Sequence, residues 1–188
     1  MSLLPLGLLS QGGGAGGGGV AFEQISTTVV SGGSTTSISF TSIPATYKHL
    51  QVRWTARSAW NTTGASSLNV SINGVTSAIS HRMQSDGGTL DVISNAFLSI
   101  ARIPVATGAT SSFGGGVLDI LDYSSSNKNK TYRSFFGHQN GANTSNINLI
   151  GLWSGTNLST AVTTSLAFDT NGDAFVAGSR FTLYGIKG

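Results

Sequence analysis

The residues able to do chemistry in this chain are three histidines and seven acids. A metal centre built on imidazole needs histidines at short spacings such as HxH or HxxH, or histidines that converge with a carboxylate. His49, His81 and His138 lie in three separate predicted strands without such spacing, and each reads as a lone surface or hydrogen-bonded histidine. The acids are Glu23, Asp86, Asp91, Asp119, Asp122, Asp169 and Asp173. Glycoside hydrolysis needs two carboxylates facing each other across a cleft. Asp119 and Asp122 are three residues apart in Asp-Ile-Leu-Asp, so on a strand they point to opposite faces. Asp169-Thr-Asn-Gly-Asp173 resembles a calcium loop only loosely, because the 1-3-5-12 ligand pattern and its bidentate Glu are missing, and the segment predicts a turn between strands. There is no GxxxxGK[ST], no GxSxG and no strand-GxGxxG-helix arrangement. These residue types predict a non-enzymatic chain with no catalytic residue, no metal ligand and no cofactor.

The elements that would position any site are β-strands. Of 188 residues, 26 are glycine, 28 serine and 21 threonine, with 9 Phe, 4 Tyr and 3 Trp. Only 9% are charged, against about 25% in an ordinary soluble chain, which excludes helical bundles and coiled coils. With 39% hydrophobic residues and a net charge of +3, intrinsic disorder is excluded as well. Five N-x-[ST] triplets, at Asn61, Asn69, Asn129, Asn143 and Asn157, are expected by chance at this Ser/Thr content. Cysteine is absent, so there is no disulfide framework. The basic residues are scattered apart from Lys128 to Arg133, which reads as a solvated loop rather than a nucleic-acid patch. No segment approaches 18 apolar residues, and the apolar start lacks a basic n-region, so neither membrane insertion nor a secretory signal is expected.

Composition divides the chain near residue 20. Seven of the eight residues from Gly12 to Gly19 are glycine. Residues 1–21 read as an apolar, Gly-rich anchoring arm, with Leu3, Leu4, Leu6, Leu8 and Leu9 as a plug and Gly12, Gly13 and Gly14 leading the flexible part. Residues 22–188 read as ten or eleven short strands. Tyr47–Arg57 alternates most clearly, with Leu50, Val52 and Trp54 on the core face. Leu68, Val70 and Ile72 alternate next, and Asn73-Gly74 predicts a hairpin returning through Val75–Ser80. Thr89–Ala101 has the only passable helical pattern (Leu90, Ile93, Phe97, Ile100), a minor alternative to strand. The pattern predicts an all-β, antiparallel, jelly-roll-like sandwich with an extended arm.

Phe40-Thr-Ser-Ile-Pro-Ala-Thr-Tyr-Lys-His-Leu-Gln-Val-Arg53 resembles a segment of small β-domains in virion structural proteins of tailed bacteriophages. Leu121-Asp-Tyr123, Asn127-Lys-Asn-Lys-Thr131, Gly151-Leu-Trp153 and Gly178-Ser-Arg-Phe-Thr-Leu-Tyr-Gly-Ile186 extend the resemblance in the same order. It covers residues 34–188 and implies a virion structural protein of tail-fibre-like or minor structural type. The particle would be assembled in the bacterial cytoplasm, and the chain would be a homo-oligomer, with a trimer expected. Its partners would be a tail adaptor or the major capsid protein, and a host surface glycan for the projecting domain. A capsid decoration protein is the alternative.

Trp153 and Phe181 are assigned to the core. Trp60, in the loop Ser58–Gly64, is the leading surface-contact residue, because loop tips usually spare large apolar side chains. Tyr132 and Phe135 are the further candidates.

Overall fold

The computed structural model describes residues 21–32, 34–62, 64–97, 99–139 and 148–188. The arm residues Leu3 to Gly14 assigned above therefore lie outside the described residues. The elements are β1 (Phe22–Val29), β2 (Ser37–Phe40), β3 (His49–Ala56), β4 (Ala65–Ile72), β5 (Ser77–Ser85), β6 (Leu90–Phe97), β7 (Ser99–Pro104), β8 (Gly114–Ile120), β9 (Lys130–His138), β10 (Leu149–Asn157), β11 (Leu166–Asp169) and β12 (Arg180–Ile186).

They form two antiparallel sheets of a β-sandwich. The larger runs β1-β12-β3-β8-β9-β10-β5-β6 and the smaller β2-β11-β4-β7. β1 pairs with β12, β2 with β11, β3 with β8 and β4 with β7. Such nested pairing is the path of one long hairpin rolled onto itself, a jelly-roll-like winding. Two further strand pairs, β5–β6 and β9–β10, are inserted into that path and widen only the larger sheet. β7, at the edge of the small sheet, packs over β8, β9 and β10. The small sheet ends there, and β5–β6 extends beyond it.

Alternation sets the core. Leu50, Val52 and Trp54 of β3 and Leu68, Val70 and Ile72 of β4 are all buried. Each such side chain contributes roughly 1.5–3 kcal/mol through burial. Phe40, Phe168, Phe181 and Phe175 join the two sheets, with successive ring centroids 6.2, 5.1 and 5.4 Å apart. Trp153 and Phe181 lie in this core as expected.

Two expectations are corrected, and one minor alternative is not adopted by the chain. Asn73 (φ 51°) and Gly74 (φ 76°) do form the tight turn, closed by the Ile72–Val75 bridge. The strand after it does not return alongside β4, however. β5 crosses to the large sheet and pairs with β10 and β6, while the Asn73 carboxamide oxygen accepts the Thr164 and Ser165 N–H groups at 2.8 and 3.1 Å. The helical pattern over 89–101 resolves as β6 and the start of β7, because Leu90 and Val92 alternate with Asp91 in register with β5. Finally, Lys130 of the basic cluster is buried rather than solvated. Its ammonium donates to the carbonyls of Ser125, Lys128 (2.8 Å) and Thr160 (3.0 Å), and burial holds it below its ordinary value of 10.5.

Candidate contact surface

The widened part of the large sheet turns one face outward. Cross-strand register places Val117 of β8, Phe135 of β9, Leu152 of β10, Met83 of β5 and Val92 of β6 side by side in a single row. Exposure is 49% at Phe135, 49% at Leu152, 44% at Met83 and 66% at Val92. A second row, Gly115–Gly137–Ile150–Ser85–Leu90, adds exposed Ile150 and Leu90. A shallow groove of about 560 Å³ follows the apolar row. Soluble monomers seldom expose contiguous apolar area of this kind unless something covers it.

The other flank of the row is polar: Asp119, Arg133, Ser154, His81 and Ser94 lie in register. Arg133 Nε donates to Asp119 Oδ2 at 3.0 Å and Gln51 Nε2 donates to Asp119 Oδ1 at 2.9 Å. Arg53 Nε donates to Gln51 Oε1 at 2.9 Å, and the guanidinium of Arg53 lies over the rings of Tyr184 and Phe22. The surface thus has an apolar strip with a fixed, hydrogen-bonded rim, the usual anatomy of a protein-binding patch.

Phe135 is the sequence-assigned residue that this surface contains. Tyr132 is a correction: it is fully buried against Gly155 of β10. Strand periodicity explains the split, since residues three apart on β9 face opposite sides. Burial pushes the Tyr132 phenol up to about 12, with the Ser80 hydroxyl partly opposing. Leu152, Met83, Val92 and Ile150 were not anticipated. The available signal was adjacent apolar pairs, Phe135-Phe136 and Leu152-Trp153, which place one apolar side chain on each face of a strand.

Trp60 forms a separate feature on the small sheet. It is 41% exposed, and its loop is held by Trp60 N–H donating to Ser58 Oγ at 3.1 Å and by Ala106 N–H donating to Trp60 O at 3.0 Å. It borders a groove of about 230 Å³ with Ser67, Arg102, Asn171 and Asp173. Burial, and then the charge of Arg82, holds the Arg102 guanidinium below its ordinary value. An indole edge beside hydroxyl, amide, carboxylate and guanidinium groups suits a polyhydroxylated ligand.

The acids sit in defined partnerships. Asp122, at the strand end with φ 48°, receives Lys48 Nζ at 3.1 Å and Lys128 Nζ at 3.2 Å. Asp91 pairs with Arg82 at 2.8 Å and Glu23 with Lys187 at 3.0 Å. Asp169 Oδ1 accepts the Asn171 N–H at 2.9 Å, making the Asp169–Asp173 segment a side-chain-capped turn. Among the described residues, no three His, Asp or Glu side chains are grouped to hold a metal. Hydrogen bonds from Lys48 and then Lys128 hold the Asp122 carboxyl below its ordinary value of 3.8. A depressed folded value means that its stabilisation is present above pH 3.8 and is lost as pH falls through the lower folded midpoint. Carbon-detected NMR should place the Asp122 midpoint below 3.8, moving up towards it in Lys48→Met/Lys128→Met. An unshifted midpoint in the native chain would contradict the pairing.

Residues from three of the segments quoted above, Phe40–Arg53, Leu121–Tyr123 and Gly178–Ile186, meet at one end of the sandwich. Tyr123 Oη donates to Pro44 O and accepts the Tyr47 N–H at 3.2 Å. Asp122 N–H donates to His49 Nδ1 at 3.0 Å, and the Tyr47 ring covers Gly185. These contacts close that end of the sandwich. Compared with known proteins, the chain matches no family model, no curated protein and no solved structure.

Proposed function

We propose that this chain is a non-enzymatic structural protein of a tailed-phage virion, anchored to the particle through residues 1–21 and projecting its β-sandwich. The tail-fibre or receptor-binding type is the preferred reading. Its partners are further copies of itself, a tail adaptor, and a host surface glycan at the Trp60 groove. The observation that carries the assembly role is the exposed apolar row from Val117 to Val92, a surface suited to being covered by protein. The low charge content supports it too, since few ions have to be desolvated where such domains pack. The phage assignment rests on the sequence resemblance.

The exposure of that row also suits a second reading, a decoration protein packed against the head shell. Immunogold labelling of intact particles with antibodies to the β-sandwich tests both. Label at the tail is expected; label over the head would favour decoration, and particles without label would overturn the virion assignment. For the glycan contact, Trp60→Ala should leave assembly intact and reduce host adsorption by roughly tenfold, as expected for the loss of an aromatic stacking contact of ~1.4 kcal/mol. Full adsorption by that variant would remove Trp60 as a contact residue.

A further inference from the structure

The Trp60 groove is built from three parts of the chain that are fastened to one another. Its floor is the outward face of β4 and β7, where Ser67 and Arg102 are direct cross-strand neighbours. Leu68 and Ala101, the next residues on each strand, are fully buried, so alternation turns Ser67 and Arg102 away from the core. One wall is the Trp60 loop after β3, and the other is the turn after β11 that carries Asn171 and Asp173. Ala59 N–H donates to Ala174 O at 2.8 Å and Ser58 bridges to Phe175, so the two walls are joined. Asn69 Nδ2 donates to Asn171 Oδ1 at 2.7 Å, which ties the turn down to β4. A site held in this way has little left to order when a ligand arrives.

Its charges face a ligand rather than each other. Arg102 is half-buried, and its guanidinium donates only to Ala65 O, at 3.3 Å, among the described residues. Arg57 is the contrast, with its fork filled by three loop carbonyls. Among the described residues neither Arg102 nor Asp173 has an ion-pair partner, and the Asp91 carboxylate is taken by Arg82 at 2.8 Å. A guanidinium and a carboxylate thus line one groove without pairing. A ligand carboxylate matches the guanidinium fork through two parallel, charge-assisted hydrogen bonds. A phosphate dianion would bring more negative charge beside Asp173, whereas hydroxyl groups would donate to it. The volume of about 230 Å³ lies below the roughly 300–1,000 Å³ of sites for drug-sized ligands, which suits a single ring. The exposed Trp60 indole offers that ring an apolar surface.

We infer that the Trp60 groove takes a carboxylated sugar residue, a hexuronate, with its carboxylate in the Arg102 fork, its hydroxyls donating to Asp173 and its ring against Trp60. The inference rests on reading this groove as the glycan contact. It adds the charge and size of the sugar.

An array of galacturonate, glucuronate, mannuronate and guluronate oligosaccharides, each printed beside its neutral carboxyl-reduced counterpart, tests it on the full chain. At least one uronate should bind roughly tenfold above its reduced form, the advantage of a charge-assisted pair over neutral hydrogen bonds. Arg102→Gln should abolish that preference, and Trp60→Ala should weaken both forms. Arg102→Lys, which keeps the charge and loses the fork, should retain only part of the preference and serves should the glutamine variant fold poorly. A preference that persists undiminished in the Arg102 variants would show general attraction of anions to a basic chain and overturn the inference. Equal binding of acidic and reduced forms, lost in Trp60→Ala, would overturn the carboxylate contact and leave the glycan reading standing. Binding to no member of the array would overturn both.

Discussion

Alanine at Gly116, Gly151 or Gly155 is expected to destabilise the sandwich by about 1–3 kcal/mol at each site, the usual cost of overfilling a packed core. The reason lies in direct cross-strand pairs of glycine with an aromatic residue: Gly116 opposite Trp54, Gly151 opposite Phe136 and Gly155 opposite Tyr132. Each ring lies over the glycine of the neighbouring strand. A Cβ at Gly116 would stand 2.5 Å from Trp54 Cζ2 and 2.7 Å from the Phe135 carbonyl oxygen. At Gly151 it would stand 2.6 Å from the Phe136 ring, and at Gly155 it would stand 2.5 Å from Tyr132 Oη and 2.7 Å from the Ile79 carbonyl oxygen. At Gly116 and Gly155 the backbone carbonyl would still clash after the ring moved, so ring displacement alone does not relieve the contact. Gly137 is the control: its Cβ would have ordinary contact, 3.6 Å from the nearest atom, so Gly137→Ala should be close to neutral. Urea midpoints of the four variants check this. Equal midpoints for Gly116→Ala and Gly137→Ala would contradict the ring-over-glycine packing.

The second large effect concerns two buried cations that each donate to three backbone carbonyls. Arg57 donates to Ala106 O at 3.0 Å, Gly108 O at 2.9 Å and Ala109 O, fastening the segment between β7 and β8. Lys130 does the same for the β8–β9 turn and for Thr160. Methionine at either position keeps much of the buried stem but leaves three loop carbonyls without their donor. An unsatisfied buried polar group costs about 1–3 kcal/mol, so about 3 kcal/mol is expected for each variant. At roughly 2–4 °C per kcal/mol for a chain of this size, Tm should fall by roughly 6–12 °C. Arg57→Lys should recover only part of the loss, because an ammonium cannot reproduce the guanidinium fork. Thermal unfolding measures all three. A Tm unchanged in both methionine variants would show that water replaces the lost donors without penalty.

The fold was legible wherever period-two alternation met turn chemistry. Leu50, Val52 and Trp54 announced β3, and Asn73-Gly74 announced its turn. The partner of the next strand was not legible: a tight turn fixes where the chain reverses, but β5 is drawn away by register with β10, a strand some seventy residues later. The glycine excess outside the arm was ambiguous for a related reason, since only cross-strand register shows that Gly116, Gly151 and Gly155 each lie beneath a ring. At the surface, Phe135 is exposed and Tyr132 is buried, an outcome that the three-residue interval between them already implied. Lys130 looked like one member of a solvated basic cluster, because nothing local reveals the Thr160 carbonyl that it reaches. Leu152, Met83 and Val92 make a site only together, and that row exists through the pairing of five strands.

The claim at the centre of this account is that the chain is a building component of a phage particle. Quantitative mass spectrometry of density-purified particles measures it directly, with the major capsid protein as the internal count. Peptides of this chain should be present at a fixed ratio, a handful to a few dozen copies per particle for a tail component. Hundreds of copies would move it to the head shell, and particles devoid of its peptides would contradict the claim.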